Sequence, residues 1–192
     1  NRLQVLGDYP LRHPALVNYL DSRAIDSSIA KKFCREVHYS VGERNYFAIG
    51  FRNDYGGWEL RSERFKGCST PKHITTIDNG SDKALAFEGF MDFLSYLTIK
   101  RNDSPCNIAV LNSVANVQKA VPFLARHRSI YTFLDNDDAG QRALAEIERL
   151  CPQNKVINQS DFYRRHKDLN DYLRSQQSRK RVVAKQKRGF KM

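Results

Sequence analysis

The chain has 192 residues, 41% of them hydrophobic and 11% aromatic, and this composition excludes an intrinsically disordered protein. No run of about 18 apolar residues is present that could cross a bilayer, and residues 1–10 lack the basic and then apolar stretches of a secretory signal. The formal net charge of +11 indicates an anionic partner. We therefore expect a cytoplasmic protein that has no membrane partner.

The four cysteines are too far apart along the chain to form a zinc ribbon or a disulfide scaffold. They are Cys34, Cys68, Cys106 and Cys151. We predict that all four are reduced and that most of them are buried as small apolar side chains.

Residues 1–80 are predicted to form a small α+β subdomain. The segment from His13 to Val37 predicts two short helices, with Asp26 or Ser27 at the N-cap of the second. Residues 46–54 and 58–67 alternate in the manner of strands on either side of a turn that contains two glycines, which predicts a β-hairpin. The next segment, ITTIDNGSDK, is rich in turn residues and is expected to close the subdomain.

Residues 81–173 alternate regularly between strand and helix patterns. Strands are predicted at 84–88, 107–112, 129–135 and 155–159, and helices at 89–100, 114–127, 139–151 and 167–177. Strict alternation implies parallel strands joined by right-handed crossovers, and hence a doubly wound sheet. The predicted fold class is α/β, with a mostly parallel sheet flanked by helices behind the small basic subdomain.

Residues 174–192 form a basic tail with eight Lys and Arg residues and no Asp or Glu. Its low apolar content predicts a segment that is mobile in isolation and extends a helix when bound. Such a tail attracts any polyanion through counterion release, without sequence specificity. The alternative interpretation is a solvated end that has no partner.

Two acidic motifs follow predicted strands in the second part of the chain. Asp135 and Asp137 stand two residues apart, so both carboxylates project from one face of a strand tip. Glu88 ends an earlier strand, and Asp92 follows it by one helical turn. Like charges held this close repel each other unless a cation binds between them. Because ligands bind at the carboxyl ends of the strands in such sheets, the motifs predict a site for a hard metal that acts on phosphates.

Some polar residues behind strands suit a purely structural role. Candidates for helix N-caps are Asn112, Ser113 and Asp138. Asp92 also suits a solvent-facing helix position. The string from Asp135 to Glu146 partly fits a calcium-binding EF-hand loop, but Ala139 stands at its fifth position and a strand pattern precedes it where a helix is required.

Together the motifs resemble the Toprim fold, which bacterial primases share with type IA and type II topoisomerases and some nucleases. AFEGFMDF resembles its glutamate motif, FLDNDDAG its paired-aspartate motif and HKDLNDYL its last acidic motif. The order of motifs is most similar to the catalytic core of bacterial DNA primase. The segments YLDSRAIDSSIAKKF, YFAIGFRNDYGGWELR and TPKHI resemble the subdomain in front of that core, so the resemblance covers about residues 16–173.

The resemblance implies a set of site residues. Glu88, Asp135 and Asp137 match the catalytic, metal-binding acids, and Asp92 and Asp168 match the outer members of the metal cluster. Arg61 and Lys72 match basic positions that face nucleic acid or the phosphates of the incoming nucleotide. The implied cofactor is Mg²⁺ or Mn²⁺, as two ions about 4 Å apart that activate the attacking 3′ oxygen and steady the leaving pyrophosphate.

Three positions depart from the family pattern. Asn112 replaces the glycine of a Leu-Gly-Thr turn, Asn136 replaces the central glycine of an Asp-Gly-Asp motif, and Asn170 replaces the second acid of the last motif. Such departures are typical of the divergent primase-like proteins of mobile elements.

The implied function is that of a primase-like nucleotidyltransferase core that binds single-stranded DNA and joins ribonucleotides. The implied partners are single-stranded DNA, NTPs, a zinc-binding module upstream in the full-length protein and a helicase. Two alternatives stay open. One is an accessory DNA-binding protein for the excision, mobilisation or replication of a mobile element, and the other is a Toprim-type metal-dependent nuclease.

Overall fold

The computed structural model describes residues 3–101 and 105–189, with side chains up to Arg179. Its first sheet has five strands: β1 (Leu3–Pro10), β2 (Cys34–Val41), β3 (Arg44–Arg52), β4 (Trp58–Arg61) and β5 (Lys66–Cys68). These strands pair in chain order, and every pairing is antiparallel. Two helices, α1 (Pro14–Ser22) and α2 (Ser27–Phe33), lie in the connection between β1 and β2.

The two predicted helices are confirmed, as is the hairpin of β3 and β4, but the strand predicted at 58–67 is interrupted at residues 62–65 and forms β4 and β5. Asp26 is the N-cap of α2, since its Oδ1 accepts a hydrogen bond of 2.8 Å from the backbone N–H of Ser28. The second helix ends at Phe33, however, and the prediction that it continues to Val37 is wrong. Residues 34–41 lie between β1 and β3 and bond to both, so sheet pairing overrides the local helical pattern.

The second sheet contains β6 (Thr75–Ile77), β7 (Lys83–Phe87), β8 (Asn107–Val110), β9 (Ser129–Phe133) and β10 (Lys155–Asn158). Their order is β10-β9-β7-β8-β6. The four predicted strands are confirmed and are parallel, whereas β6 pairs antiparallel with β8 at the edge. β6 lies in the segment that we expected to consist of turns, and the division of the chain near residue 80 stays a prediction.

Four helices cover this sheet: α3 (Phe90–Ile99), α4 (Val117–Leu124), α5 (Asp138–Leu150) and α6 (Leu169–Gly189). Alternate strand side chains point to opposite faces. Leu85 and Phe87 pack with α3 and the start of α6, while Ala84 and Ala86 pack with α4 and α5. The first of these cores also takes in α1, α2 and β3, so it joins the two sheets.

The helix predicted at 167–177 continues to Gly189 as α6. Residues 174–189 of the basic tail therefore extend this helix, which is the form that we expected the tail to take when bound, and residues 190–192 lie outside the described residues. In the described part of the chain, no helix is long and apolar enough to span a membrane. All four cysteines are free, with Cys34 and Cys151 buried and the other two partly buried.

Candidate active site

The first two acidic motifs meet at the carboxyl ends of neighbouring strands. Glu88 follows β7 directly, and its backbone N–H donates to the carbonyl oxygen of Phe133, the last residue of β9, at 3.3 Å. The backbone N–H of Asp135 in turn donates to Oε2 of Glu88 at 3.2 Å. Glu88 and Asp135 therefore lie side by side. The strand ends at Phe133, however, so the prediction that Asp135 and Asp137 share one face of a strand tip is wrong.

Asp137 has a double role at the start of α5. Its Oδ1 accepts hydrogen bonds of 3.0 Å from the N–H groups of Ala139 and Gly140, so Asp137 is the N-cap, and the capping role considered for Asp138 is wrong. Its Oδ2 lies 3.8 Å from Nζ of Lys167, and Asp137 itself is not among the residues that line the cleft described below. A Cβ on Gly140 would lie 2.1 Å from the carbonyl oxygen of Asp135, so the glycine of this motif permits the close approach of helix and strand tip.

The third acidic motif reaches the site through Asn136. The Asn136 backbone N–H donates to the Lys167 carbonyl at 2.7 Å, and its Nδ2 donates to the carbonyls of His166 at 2.9 Å and Tyr163 at 3.2 Å. Asp168 follows directly, and its Oδ1 accepts a hydrogen bond of 2.7 Å from the backbone N–H of residue 171 near the start of α6.

Asp92 is buried beneath the cluster in the first turn of α3. Its Oδ1 accepts a hydrogen bond of 3.1 Å from the backbone N–H of Asn170, so the solvent-facing alternative is wrong. The side-chain Nδ2 of Asn170 donates to Oγ of Ser95 and to the carbonyl oxygen of Arg23. Asn170 thus joins α6, α3 and the end of α1 with neutral hydrogen bonds.

The electrostatics of the cluster are those of crowded carboxylates. Burial, with Asp135 and then Asp137 nearby, raises the pKa of Glu88. Burial and Asp168 raise the pKa of Asp135, and the same two causes raise that of Asp92. This pattern indicates more negative charge than the surrounding protein neutralises.

The ammonium of Lys167 partly offsets that charge. Its Nζ lies 3.4 Å from Oδ2 of Asp135 and 3.8 Å from Oδ2 of Asp137, and these carboxylates raise its pKa, Asp135 most of all. Within residues 3–101 and 105–189, no group of three or more His, Cys, Asp and Glu side chains is arranged to hold a metal ion. The oxygen donors nevertheless have the chemistry that Mg²⁺ and Mn²⁺ prefer.

A cleft of about 560 Å³ is lined by carboxylates of the cluster and by a wall of residues from the first 80 positions, which contains four cationic side chains and also Glu63. The basic residues of that wall, here called the basic wall, are Arg23, Arg61, Arg64 and Lys66. The guanidinium of Arg61 lies 5.8 Å from the ring centre of Phe90, and burial lowers its pKa. The prediction that Arg61 faces the site is consistent with this position.

Lys72, the second predicted basic residue, does not line the cleft. It is exposed on the loop behind the cis peptide between Thr70 and Pro71, and its carbonyl oxygen accepts a hydrogen bond from Nζ of Lys119. Nδ2 of Asn53 holds the neighbouring carbonyl of Pro71 at 2.7 Å. The loop is thus anchored to the hairpin turn, outside the cavity.

Sequence reasoning missed Arg23, Arg64, Lys66 and Lys167. Lys66 lies opposite Arg61 in the register of β4 and β5, so a register for the hairpin would have placed both on one face. Arg23 lies within the segment YLDSRAIDSSIAKKF, and Lys167 precedes Asp168 in the last motif. Their charges alone carried no signal in a chain with 32 Lys and Arg residues.

Asn112 also lies on the cleft, at the turn after β8. Its φ of 62° is in the left-handed region, which explains why the related pattern has glycine there. Its Nδ2 donates to the carbonyl of His73 at 2.9 Å and to Oγ1 of Thr75 at 3.1 Å. Asn112 is therefore a turn residue rather than an N-cap, and Ser113 caps the following short 3₁₀ helix.

Comparison with known proteins agrees with this geometry. Residues 85–173 match the family model described as Toprim-like, and residues 5–70 match one described as a domain of unknown function, DUF8464. No curated protein matches the chain. Residues 85–173 therefore form a Toprim-like domain.

Several solved primase structures have the same fold. The primase fragment of the bacteriophage T7 primase-helicase protein matches with a TM-score of 0.61 and 18% identity, over 94% of this chain and 79% of that one. A DNA primase domain from Pseudomonas aeruginosa matches with a TM-score of 0.52 and 17% identity, over 90% of this chain and 73% of that one. The Aquifex aeolicus primase, with its zinc-binding and RNA polymerase domains, matches with a TM-score of 0.51 and 15% identity, over 78% of this chain and 50% of that one. The chain thus has the fold of a Toprim-type primase core.

Proposed function

We propose that this chain is a primase-like nucleotidyltransferase core that joins ribonucleotides on single-stranded DNA in the cytoplasm. The observation that carries the proposal is the cleft, in which Glu88 and Asp135 face the cationic side chains of Arg23, Arg61 and Lys66. Carboxylates on one side suit divalent ions, and guanidinium groups on the other suit phosphates. Binding of a nucleoside triphosphate uses both divalent ions and cationic side chains, because its phosphates carry several negative charges.

Glu88, Asp135 and Oδ2 of Asp137 are the groups that would hold Mg²⁺ or Mn²⁺, with Asp92 and Asp168 behind them. Two such ions supply Lewis-acid activation of the 3′ oxygen and charge stabilisation for the leaving pyrophosphate. The hydrogen bond from Asp135 to Glu88 fixes the spacing of the two motifs before any ligand binds. The cap formed by Asp137 Oδ1 fixes the orientation of its other oxygen.

The basic wall would orient the triphosphate. Arg61 is partly desolvated beside Phe90, where charge-assisted hydrogen bonds to phosphate gain strength. Lys72 lies outside the cavity, and we assign it to the nucleic-acid strand rather than to the nucleotide.

Partners follow from the relatives. The T7 relative is part of a primase-helicase protein, and the Aquifex aeolicus structure includes a zinc-binding domain. We therefore propose a zinc-binding module and a helicase as partners of this chain. The amide residues Asn112, Asn136 and Asn170 support placing it with the primase-like proteins of mobile elements.

A synthesis assay tests the proposal. The protein is incubated with single-stranded DNA, labelled NTPs and either Mg²⁺ or Mn²⁺, with and without a zinc-binding primase module added in trans. Short RNA products are expected from the wild type and from the exposed control variant Glu148→Gln, and none from Glu88→Gln. Absence of wild-type product under every one of these conditions would overturn the proposal.

A second candidate is an accessory DNA-binding role, which is favoured by the helical course of the basic segment 174–189. DNA binding and cellular function that both survive Glu88→Gln and Asp135→Asn would support it. Nicking of supercoiled plasmid with Mg²⁺ in the same experiment would instead indicate a Toprim-type nuclease, since the same two ions can activate water.

A further inference from the structure

We infer that the segment Arg164–Lys167, here called the basic loop, binds the phosphate backbone of a nucleic-acid strand at the rim of the carboxylate cleft. The inference deepens the proposed function and rests on it, because it names a contact surface for the strand on the side of the cleft opposite the basic wall.

The charge of the basic loop is exposed and largely uncompensated. Arg164, Arg165 and Lys167 are all exposed, and they fall within four consecutive residues. In the described part of the chain, neither arginine forms an ion pair, and the carboxylates that Lys167 approaches are the two candidate metal ligands. Two adjacent arginines that have no ion-pair partner among the described residues are suited to a polyanion.

The backbone of the basic loop is held firmly. Asn136 donates hydrogen bonds to the carbonyls of Tyr163, His166 and Lys167, on both sides of the arginines. The hydroxyl of Tyr163 donates to the carbonyl of Leu134 at 2.8 Å and is buried. Since both ends of the loop are fixed near the tip of β9, the backbone that carries the arginines needs little ordering when they bind a ligand.

The position of the arginines identifies a strand rather than a nucleotide. Lys167 lines the cleft in which we place the triphosphate, whereas Arg164 and Arg165 lie outside that cavity. A ligand that contacts the site and both arginines is therefore longer than one nucleotide. The phosphodiesters of a single strand provide such a ligand, and their repeated charge matches adjacent cations.

Binding of a labelled oligodeoxythymidine, followed by fluorescence anisotropy at several salt concentrations without NTPs or metal, tests the inference. We expect Arg164→Gln/Arg165→Gln to bind roughly 5- to 20-fold more weakly and to lower the log–log salt slope by about 1.4, because two phosphate contacts are lost. The control Arg126→Gln/Arg128→Gln removes two exposed arginines just before the amino-terminal end of β9, one of which, Arg126, lies 3.8 Å from Asp78, and it should bind within about twofold of wild type.

The side-chain hydrogen bonds from Asn136 to the carbonyls of Tyr163 and His166 are here called the clamp. A second pair of variants tests this clamp without changing the charge of the protein. Asn136→Gly removes two side-chain hydrogen bonds to the basic loop, and we expect roughly threefold weaker DNA binding. Its control is Asn154→Gly, because Asn154 also donates side-chain hydrogen bonds to two backbone carbonyls, those of Ala125 and His127. Asn154 lies at the amino-terminal end of β10, whereas Asn136 follows the carboxyl end of β9. Asn154→Gly should leave DNA binding unchanged, while both variants lose a similar amount of thermal stability.

Equal affinity and salt slope for the Arg164/Arg165 variant and its control would overturn the inference. So would a variant that loses affinity for a fluorescent ATP analogue but keeps its affinity for the oligonucleotide. The binding assay contains neither NTPs nor metal, so its outcome is independent of whether synthesis is observed. If the protein synthesises RNA but the basic loop does not affect DNA binding, only the inference fails. If the loop affects DNA binding but no RNA is made, only the proposed synthesis fails.

Discussion

The backbone N–H of Asp135 donates a hydrogen bond of 3.2 Å to Oε2 of Glu88. This contact joins two motifs that are 47 residues apart in the chain. It also holds two carboxylates together, and burial with the nearby negative charge raises the pKa of both. The site is thus arranged for a cation at some cost to the folded state without one.

Replacing Glu88 with glutamine tests both the role of its charge in cation binding and the cost of that charge to the folded state. Glutamine keeps an oxygen that can accept the Asp135 N–H but removes a charge from the cluster. We expect synthesis to fall by roughly 100-fold or more, and the melting temperature at neutral pH to rise. The sign follows from the raised folded-state pKa, because the stability that protonation confers is lost as pH rises through that pKa.

Thermal melts with and without Mn²⁺ check this prediction. Glu148→Gln, on the exposed face of α5, is the matched control and should change neither the activity nor the melting temperature. The prediction is contradicted if the Glu88→Gln protein has a lower melting temperature than wild type and if Mn²⁺ raises that temperature as much as it does for wild type.

Glu59 gives a second pH-dependent prediction. Its carboxyl group is buried in β4, and burial raises its pKa from 4.5 to about 7. The stability from this group is complete below the ordinary pKa and is lost as pH rises through about 7. Glu59→Gln should therefore stabilise the fold by about 1–3 kcal/mol near pH 8 and by much less near pH 5.

Urea unfolding followed by the fluorescence of Trp58, the single tryptophan of the chain, measures this difference. Trp58 is itself buried in β4, so its signal reports the same sheet. Glu43→Gln, at an exposed turn between β2 and β3, should give no pH-dependent gain. Equal stabilisation by Glu59→Gln at both pH values would show that burial is not the cause.

The sequence predicted the parts of the fold that local patterns determine. The four parallel strands and the helices between them follow from alternation along residues 84–177, and the position of the carboxylates beyond the strand ends follows from the parallel order. β1, β2 and β6 were not predicted. β1 and β6 are defined by pairing with distant residues, such as Leu3 with Val41 and Thr75 with Val110, which no local period reports. β2 forms a tight hairpin with β3, but the local pattern of its first half was assigned to a helix.

The same limit applies to the site. Glu88 and Asp135 were predictable because each directly follows an apolar strand. The clamp formed by Asn136 was not, because its partners at Tyr163 and His166 lie 27 and 30 residues further along the chain. Nor does a carboxylate in the sequence reveal that one of its oxygens will cap a helix, as in Asp137.

The two motif glycines should respond differently to alanine. At Gly140 the new Cβ would lie 2.1 Å from the Asp135 carbonyl oxygen, so the strand tip and α5 must separate. We expect Gly140→Ala to destabilise the fold by about 2–4 kcal/mol and to abolish synthesis. At Gly89 the Cβ would meet only Oδ2 of Asp92, at 3.9 Å, so Gly89→Ala should unfold at the same urea concentration as wild type within error.

Equal destabilisation of the two variants would contradict this steric account. Synthesis by a stable Gly89→Ala protein then gives separate information. If activity falls while stability is unchanged, the added methyl group obstructs a ligand rather than the protein itself, since Gly89 lies on the cleft.

Lys167 provides a test of the metal site that does not depend on activity. Its ammonium lies against the Asp135 and Asp137 carboxylates, where it competes with a divalent ion for the same oxygens. Lys167→Met should lower the melting temperature of the metal-free protein and tighten Mn²⁺ binding by about 2- to 5-fold, a modest effect because the lysine is exposed. Isothermal titration calorimetry and thermal melts measure both quantities, and Lys155→Met, at the exposed start of β10, is the control. Weaker Mn²⁺ binding by Lys167→Met would show instead that the lysine organises the carboxylates, whereas unchanged binding would place the ion away from Asp135 and Asp137.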